Sequence, residues 1–331
     1  MQSFSMIHNY IQTGRCHEAV TFLTVLQNME PDNPLIPRLF QLVTAKNGMA
    51  PESDLTDMFG RIWGGENLNG KSIEVICDQG MGDLVNMLGY LNLLKTRYNC
   101  HVVVICYAFH AEFKRLFDEI EYVDEFLKYH KLCDYTTNMF SLPTILSGIK
   151  LPVQYPAHFA EVMKTGVPLR PYLMAYSTFS TCRDEIEVAG SKLRVGVSWK
   201  SNPDNNLFLI KSIPLEIIKE LKSDKYDLYS LIPDDCPEFM KPLMLRDLYD
   251  TTAAVYNLDY VVSVDTVVLH LAGSTSTQTF GLIPDECDPR WGTEGEDAPW
   301  YPHVKLVRQN KDWSKAVKSI KESLEQFSNI L

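Results

Sequence analysis

The sequence predicts an α/β protein with two parallel sheets, and three observations support this fold class. Short apolar strands alternate with helices in two stretches, one beginning near residue 72 and the other near residue 193, and such alternation requires parallel strands with crossover connections. A proline-rich interval separates the stretches and contains Pro152, Pro156, Pro168 and Pro171. A chain of 331 residues normally exceeds one hydrophobic core, so we expect two domains.

The N-terminal region is expected to form a short helical segment. Apolar side chains recur at helical spacing at Ala19, Leu23 and Leu26, and Pro34 lies at the start of a second such pattern. The pattern is similar to one tetratricopeptide unit. Because a lone unit cannot bury its own apolar face, we expect it to pack on the rest of the chain or to bind a protein partner through residues 1–50.

The first α/β stretch is expected to alternate between strand and helix. We predict strands at 72–77 and 101–107 and helices at 84–98 and 111–117, followed by shorter strands. A tight glycine turn over residues 79–83 joins the first strand to the first helix. Glycine allows the backbone to approach a ligand closely, and a helix start presents free N–H groups.

The second stretch repeats this alternation. We predict strands at 193–199, 227–232, 260–264, 278–283 and 304–308, and helices at 215–222, 251–257, 267–272 and 313–327. Ligands on parallel sheets bind beyond the carboxyl ends of the strands. The loops that begin at residues 78, 199, 232, 265 and 283 are therefore the expected locations of a site.

Composition and charge exclude several classes of protein. The hydrophobic fraction of 45% and the net charge of −11 indicate a globular chain that does not bind nucleic-acid backbones generally. The 8 cysteines form no Cys-x-x-Cys pair, which argues against a zinc site or a dense disulfide frame. Neither a secretory signal nor an apolar run of about 18 residues is visible, so we expect a cytoplasmic protein without membrane insertion.

Asp83 is the first candidate for chemistry. It follows Gln79, Gly80, Met81 and Gly82 at the end of the glycine turn. An aspartate at a helix start often caps the helix, and the local pattern favours this role. The functional alternative is a general base held in a cleft.

Lysines follow the predicted strand that ends at residue 199. Lys200 and Asn202 come directly after it, and Lys211 precedes the next predicted helix. A lysine just beyond a strand end can bind a phosphate as a point charge. The alternative is an ordinary solvated loop lysine.

The strand predicted at 260–264 leads straight into the densest group of polar residues. Asp265 and Thr266 follow it, and a short helix then carries Val267 and His270. The positive end of that helix would suit a diphosphate, and Asp265 would accept hydrogen bonds from sugar hydroxyls. Alternatively, Asp265 caps the helix and His270 is a satisfied core histidine. Farther along, Trp291 and Trp300 lie in a loop that would wall the same cleft or pack beneath itself.

Taken together, these motifs resemble tetratricopeptide-linked glycosyltransferases related to the family 9 heptosyltransferases. The resemblance covers roughly residues 60–327 in order. The matching segments are WGGENLNGK at 63–71, QGMGD at 79–83, SLP at 141–143, GVSWK at 196–200, SIPL at 212–215, DTTAA at 250–254, SVDT at 263–266, HLAG at 270–273, WYP at 300–302 and RQ at 308–309.

The resemblance implies a GT-B fold with two Rossmann-like domains after the helical segment. The expected boundaries are a helical segment over 1–60, an acceptor domain over 61–185 and a nucleotide-sugar domain over 186–331. The implied activity is metal-independent, inverting sugar transfer from a nucleoside-diphosphate sugar. The acceptor would be a saccharide, a protein or a modified nucleobase.

The resemblance also implies roles for individual residues. Asp83 matches the general base that acts on the acceptor hydroxyl, within an acceptor-side loop formed by Gln79, Gly80, Met81 and Gly82. The donor side would comprise Lys200, Asn202, Lys211, Asp265, Thr266, Val267 and His270, with Trp291 and Trp300 as the pocket wall and no metal. On this basis the base and cap roles of Asp83 are equally expected, and the two can coexist.

The sequence departs from the family at several positions. Lys211 replaces an arginine, Asp78 a glutamate and Gly89 an arginine, and residues 274–277 replace an Ala-x-Gly-x-Pro motif. Neither the sugar nor the acceptor can therefore be carried over from the family. The alternatives are a nucleotide-sugar epimerase or hydrolase on the same fold and a non-catalytic interaction protein of the tetratricopeptide type.

Overall fold

A computed structural model describes most of the chain from residue 61 onward. The described residues are 61–77, 80–147, 192–203, 207–275 and 277–329, together with six helical positions between 18 and 36. Of those six, Ala19, Leu23, Leu26 and Ile36 are buried. The rest of the predicted tetratricopeptide-like segment, Gln79 and the predicted domain boundary at residue 185 lie outside the described residues.

The chain divides into two compact units, and each is discontinuous in sequence. The first comprises Met1–Gly80 and Tyr90–Lys150, and the second comprises Met81–Gly89 and Leu151–Leu331. The short segment Met81–Gly89 therefore belongs to the second unit, although it lies between two parts of the first. The domain boundaries predicted from the sequence remain predictions.

The first half of the described chain alternates between short strands and helices. In order these are β1 (Arg61–Ile62), β2 (Ser72–Ile76), α1 (Met81–Arg97), β3 (His101–Ile105), α2 (His110–Asp118), β4 (Glu125–Leu127), β5 (Tyr135–Asn138) and α3 (Leu142–Ser147). Among the described residues, the strands form a five-stranded parallel sheet in the order β1-β5-β2-β3-β4. The chain runs outward from β2 through β3 to β4 and then returns to the other side of β2. The carboxyl end of β2 is thus a topological switch point, where ligands bind in such sheets.

A buried carboxylate stabilises the first sheet from within. Glu74 lies in the middle of β2 and is fully buried. Its Oε1 accepts a hydrogen bond from the Lys131 backbone N at 2.9 Å, and its Oε2 accepts one from Thr136 Oγ1 at 3.2 Å. His130 Nδ1 contacts the same carboxylate. These contacts compensate for the desolvation of Glu74 and fix the loop between β4 and β5.

The second half of the described chain contains longer elements. In order these are β6 (Leu193–Ser198), α4 (Leu215–Ile218), β7 (Tyr226–Ser230), α5 (Leu248–Asn257), β8 (Tyr260–Val264), α6 (Val267–Thr275), β9 (Gln278–Ile283), β10 (Val304–Arg308) and α7 (Trp313–Ser328). In this part of the described chain, the strands form a five-stranded parallel sheet in the order β10-β9-β8-β6-β7. The chain crosses from β7 over β6 to β8. The carboxyl ends of β6 and β8 therefore form a second switch point.

The core of the second unit lies between this sheet and the last helix. The strands contribute buried apolar side chains such as Val195 and Val262, and α7 contributes Val317, Ile320 and Leu324. The apolar residues of α7 recur every three or four positions, so one face of the helix is buried. At its start, Asp312 Oδ1 accepts hydrogen bonds from the backbone N atoms of the first turn, which satisfies donors that have no partner within the helix.

The mixed α/β architecture with parallel sheets is as predicted. Strands β8, β9 and β10 have the predicted bounds. Helix α1 begins at Met81 rather than at residue 84, so Asp83 is its third residue. Within the described residues no helix has the length and apolar character needed to cross a membrane.

Candidate active site

Asp265 occupies the switch point of the second sheet. It follows β8 directly and is 5% exposed. The carbonyl of Thr266 accepts hydrogen bonds from the backbone N atoms of Leu269 at 3.1 Å and His270 at 3.4 Å, so the first helical turn of α6 begins at Thr266. Thr266 and Val267 are half-buried. The predicted strand, acid and helix start are therefore arranged as a site at the carboxyl end of β8 requires.

Lys211 is brought to Asp265 by the loop between β6 and α4. Its Nζ lies 2.6 Å from Asp265 Oδ2, and the two side chains are 16% and 4% exposed. The contact lacks hydrogen-bond geometry at Oδ2, so it is an ion pair without an aligned hydrogen bond. A buried carboxylate needs such a cation because desolvation is costly. Two residues that the sequence predicts on the donor side are thus adjacent.

His270 is a buried, neutral histidine on α6. Its Nδ1 lies 2.8 Å from Tyr301 Oη, and its Nε2 lies 3.9 Å from Asp265 Oδ1. Burial lowers the pKa of His270 well below its usual 6.5, and the positive charges of Arg290 and Lys211 lower it further. The imidazole is therefore uncharged near neutral pH.

The imidazole of His270 belongs to a buried polar chain. Asn86 Nδ2 donates a hydrogen bond to Tyr301 Oη at 2.9 Å, and the same hydroxyl shares a hydrogen bond with His270 Nδ1. Nε2 is the ring nitrogen nearer Asp265.

Asp83 on α1 is held by an arginine. Arg290 Nη2 donates a hydrogen bond to Asp83 Oδ1 at 2.5 Å, and the same guanidinium contacts Asp288, with Nε 3.1 Å from Oδ1 and Nη2 3.2 Å from Oδ2. The Arg290 side chain is 8% exposed. Burial would lower the pKa of Arg290, but the charges of Asp83 and Asp288 outweigh burial and raise it. Arg290 is therefore a permanent cation.

The start of α1 also approaches α6 closely, within the second unit. A Cβ atom placed on Gly82 would lie 2.7 Å from His270 Cδ2, which is closer than carbon atoms can pack. Gly80 directly precedes the helix, and Met81 is its first residue. The absence of a side chain at Gly82 thus allows Asp83 and His270 to occupy one neighbourhood.

The loop between β9 and β10 supplies the aromatic residues that were predicted as a wall. Trp291 is fully buried, and its ring centroid lies 5.3 Å from that of His270. Trp300 is 2% exposed, and its Nε1 donates a hydrogen bond to the carbonyl of Arg290 at 3.1 Å. Both indoles therefore pack around the residues that hold Asp83 and His270.

Arg308, the last residue of β10, holds this loop in place through hydrogen bonds. Its Nη2 donates hydrogen bonds to the carbonyls of Trp291 at 2.7 Å and Glu294 at 3.2 Å. Its Nη1 donates to the carbonyl of Gly292 at 3.2 Å, and its Nε donates to that of Gly295 at 3.0 Å. One guanidinium thus fixes the loop segment that follows Arg290.

Among the described residues, Lys200 pairs with a carboxylate other than Asp265. Lys200 follows β6 as predicted, but its ammonium pairs with Asp235 in the loop after β7. Its Nζ lies 6.0 Å from the centroid of the Trp199 ring. Asn202 is exposed. The structure therefore unites Lys211, Asp265 and His270 but leaves Lys200 beside a different carboxylate.

Sequence reasoning missed several residues of this site. Arg290 and Asp288 lie in the predicted aromatic loop, where only the tryptophans were singled out. Asn86 and Tyr301 were not assigned roles either. The signal that would have found Arg290 is an arginine that follows an aspartate by two residues and directly precedes a tryptophan, in a loop at a strand's carboxyl end. Among the described residues, no group of three or more His, Cys, Asp or Glu side chains could hold a metal ion.

Comparison with solved structures identifies the fold. The chain is similar to a glycosyltransferase of family 9 from Veillonella parvula, with a TM-score of 0.56, 11% identity and coverage of 81% of this chain and 100% of that one. It is also similar to the E. coli ADP-heptose lipopolysaccharide heptosyltransferase II, with a TM-score of 0.52, 13% identity and coverage of 77% and 99%. No protein-family profile matches the chain, and no curated protein matches it in sequence.

These similarities define the fold class of the chain. The chain has a family 9-like glycosyltransferase fold, as the order of its motifs predicted. At identities this low the likeness does not extend to substrate. The link to tetratricopeptide proteins and the division into two Rossmann-like domains remain predictions.

Proposed function

We propose that the protein is a glycosyltransferase that moves a sugar from a nucleoside-diphosphate sugar to an acceptor hydroxyl, with Asp83 as the general base. The observation that carries the proposal is the neighbourhood of Asp83, Asp265 and His270 within the second unit, joined through Arg290 and Gly82. A carboxylate on one side and a helix start with a cation on the other are the groups that sugar transfer requires. The glycosyltransferase fold supports the same reading.

The donor would bind around β8 and α6. Asp265 would accept hydrogen bonds from sugar hydroxyls, and Lys211, 2.6 Å from that carboxylate, would meet the adjacent diphosphate. The backbone N–H groups at Thr266 and Val267 and the α6 dipole would stabilise the leaving phosphate. Lys200, Asn202 and His270 would extend the donor side. That the second structural relative is named for ADP-heptose supports a nucleotide-sugar donor.

The chemical step is a single displacement. Asp83 takes the proton of the acceptor hydroxyl while its oxygen attacks the anomeric carbon. The bond from that carbon to the diphosphate oxygen breaks, and the nucleoside diphosphate departs with the electron pair. Attack opposite the leaving group inverts the anomeric configuration. The acceptor would be a saccharide, a protein side chain or a modified nucleobase.

The proposal includes transfer without a metal ion. Lys211 and the start of α6 supply positive charge where the leaving diphosphate would develop negative charge. Transfer should therefore continue at full rate in the presence of EDTA. A requirement for added Mg²⁺ or Mn²⁺ would contradict this part of the proposal. A cytoplasmic location and a protein partner bound through residues 1–50 are further parts that rest on the sequence alone.

Replacement of the base tests the function. The wild type is assayed with uridine, guanosine, cytidine and adenosine diphosphate sugars against oligosaccharide, hydroxyl-bearing peptide and hydroxymethylated-nucleobase acceptors. Asp83→Asn should lower kcat by about 10²- to 10⁴-fold, because that is the usual contribution of a general base. The nucleotide affinity should change little.

A matched control and two outcomes complete the test. Asp118→Asn removes a carboxylate that is 53% exposed on α2 and should leave transfer unchanged. Full turnover by Asp83→Asn would contradict the assigned role. Donor consumption that yields free sugar or an epimer without any acceptor would favour a hydrolase or epimerase, and titrations without heat would favour a non-catalytic protein.

A further inference from the structure

Arg290 sits between two carboxylates from different parts of the chain. Asp288 lies two residues before it, whereas Asp83 lies 207 residues away in sequence. The guanidinium contacts Asp288 with both Nε and Nη2, and Nη2 also donates to Asp83. A planar fork can hold two carboxylates in this way, and a lysine ammonium offers no such fork.

The guanidinium is held in place by its own loop. The backbone N of Arg290 donates to Asp288 Oδ1 at 2.9 Å, and its carbonyl accepts from Trp300 Nε1. The following carbonyls are bound by Arg308. With both the backbone and the side chain fixed, Arg290 presents Nη2 to Asp83 in one orientation.

Asp83 has two competing uses for its carboxylate. It is the third residue of α1, a position where an acidic side chain can turn towards the free N–H groups of the first turn or interact with the helix dipole. The 2.5 Å contact ties Oδ1 to Arg290. The carboxylate is therefore held by a residue outside its own helix.

We propose that Arg290 is the positioning residue for the base: it fixes Asp83 in the orientation that proton abstraction needs. The inference rests on the proposed function, in which Asp83 is the base. Arg290 acts through Asp83, and Asp288 acts by completing the fork. A displacement of the base by about 1 Å can cost about 10²-fold in rate, so the fork has a measurable effect.

The kinetic test compares Arg290→Lys with Arg290→Gln. In Arg290→Gln, kcat should fall about 10²-fold while the KM for the donor changes little. In Arg290→Lys, which keeps the charge but not the fork, kcat should be intermediate.

The split between kcat and KM separates positioning from a merely structural role. A disrupted loop would change the donor KM as well, whereas a misplaced base lowers kcat and leaves the donor KM near that of the wild type.

A matched control lies elsewhere in the same unit. Arg194 pairs with Asp259, with Nη2 2.7 Å from Oδ1, at the amino end of β6. Arg194→Gln removes an arginine–aspartate pair of the same kind. It should leave the donor KM and kcat unchanged.

A double-mutant cycle tests the pair without any assay of transfer. Midpoints of urea unfolding are measured for Asp83→Asn, Arg290→Gln and the double variant, with Arg290→Lys as a milder alternative to Arg290→Gln. If the two side chains interact, the double variant should lose less stability than the two single variants together. Additive losses, or a wild-type kcat in Arg290→Gln, would overturn the inference. Full transfer by Asp83→Asn with a non-additive cycle would instead refute the base while the pair stands.

Discussion

A neutral imidazole surrounded by cations makes His270 sensitive to acid. Protonation would place a third positive charge next to Arg290 and Lys211, in a position that is 3% exposed. Because both ring nitrogens of the charged form are donors, Tyr301 Oη would have to accept the hydrogen bond from Nδ1. Protonation of His270 at low pH should therefore destabilise the site before acid affects the rest of the fold.

The stability of the protein should fall below pH 6.5 partly through His270. The pKa of His270 is lowered in the folded state, so in this range the unfolded chain binds a proton that the folded chain does not. The resulting slope is about 1.4 kcal/mol per pH unit until the folded-state pKa is reached. Urea unfolding of wild type and His270→Gln between pH 7.5 and about 5 measures it. His303→Gln serves as the control, and an unchanged slope in His270→Gln would contradict the prediction.

At the residue scale, the sequence predicted local neighbours but not distant ones. Asp265 and His270 belong to one strand–helix junction, whose order along the chain determines their proximity. The contact of Arg290 with Asp83 was not predicted, because 207 positions separate the two residues in sequence. Lys200 was predicted on the donor side, but an adjacent loop supplied Asp235, and no local pattern encodes which carboxylate lies closest.

At the element scale, the loop between β9 and β10 depends on one strand residue. The Arg308 guanidinium donates hydrogen bonds to four loop carbonyls, those of Trp291, Gly292, Glu294 and Gly295. Hydrogen bonds from a strand residue therefore order this loop. Because Arg290 belongs to the loop, the same hydrogen bonds also help to fix its position.

Arg308→Gln should loosen this loop and weaken catalysis. Each intramolecular hydrogen bond contributes about 1 kcal/mol net, so loss of several bonds should cost about 2–3 kcal/mol of unfolding free energy. Limited proteolysis should cut within residues 284–303, and kcat should fall. The control is Lys305→Gln, because Lys305 also lies on β10 and its pair with Glu296 is exposed on both sides, at 53% and 70%. Wild-type protease resistance in Arg308→Gln would refute the prediction.

The elements themselves were predictable where hydrophobic periodicity was strong. Strands β8 to β10 consist largely of buried apolar side chains between polar turns, and their predicted bounds agree with the structure. Strand β1 has only two residues and pairs with Tyr135 and Thr136 of β5. A strand this short carries no periodicity, so its existence depends on a partner that lies distant in sequence. The start of α1 moved to Met81 because the glycine turn is shorter than expected.

At the scale of the whole molecule, a net charge of −11 coexists with a local group of cations. Lys211 and Arg290 are each paired with carboxylates. A compact anion such as a diphosphate can compete for such cations at short range, whereas a long polyanion would meet the acidic surface as a whole. The net charge therefore disfavours binding of a long polyanion but not of a compact anion such as a diphosphate.

A thermal-shift panel tests this distinction. Uridine, guanosine, cytidine and adenosine diphosphates and their sugars are compared with duplex DNA at equal salt. The cognate nucleotide sugar at 100 times its Kd should stabilise the folded state by about 2.7 kcal/mol, because a ligand that binds only the native state shifts the equilibrium by mass action. Duplex DNA should give no shift. A shift with DNA, or none with any nucleotide, would contradict the proposed donor site.

The path of the chain also bears on how this protein could be recombined with others. The second unit comprises Leu151–Leu331 and the short segment Met81–Gly89, which lies in sequence between the two parts of the first unit. A chimera that exchanged only the C-terminal half with a relative would combine one parent's Asp83 with the other parent's arginine loop. Exchange of the second unit by gene fusion would therefore need three crossovers, one on each side of Met81–Gly89 and one before Leu151.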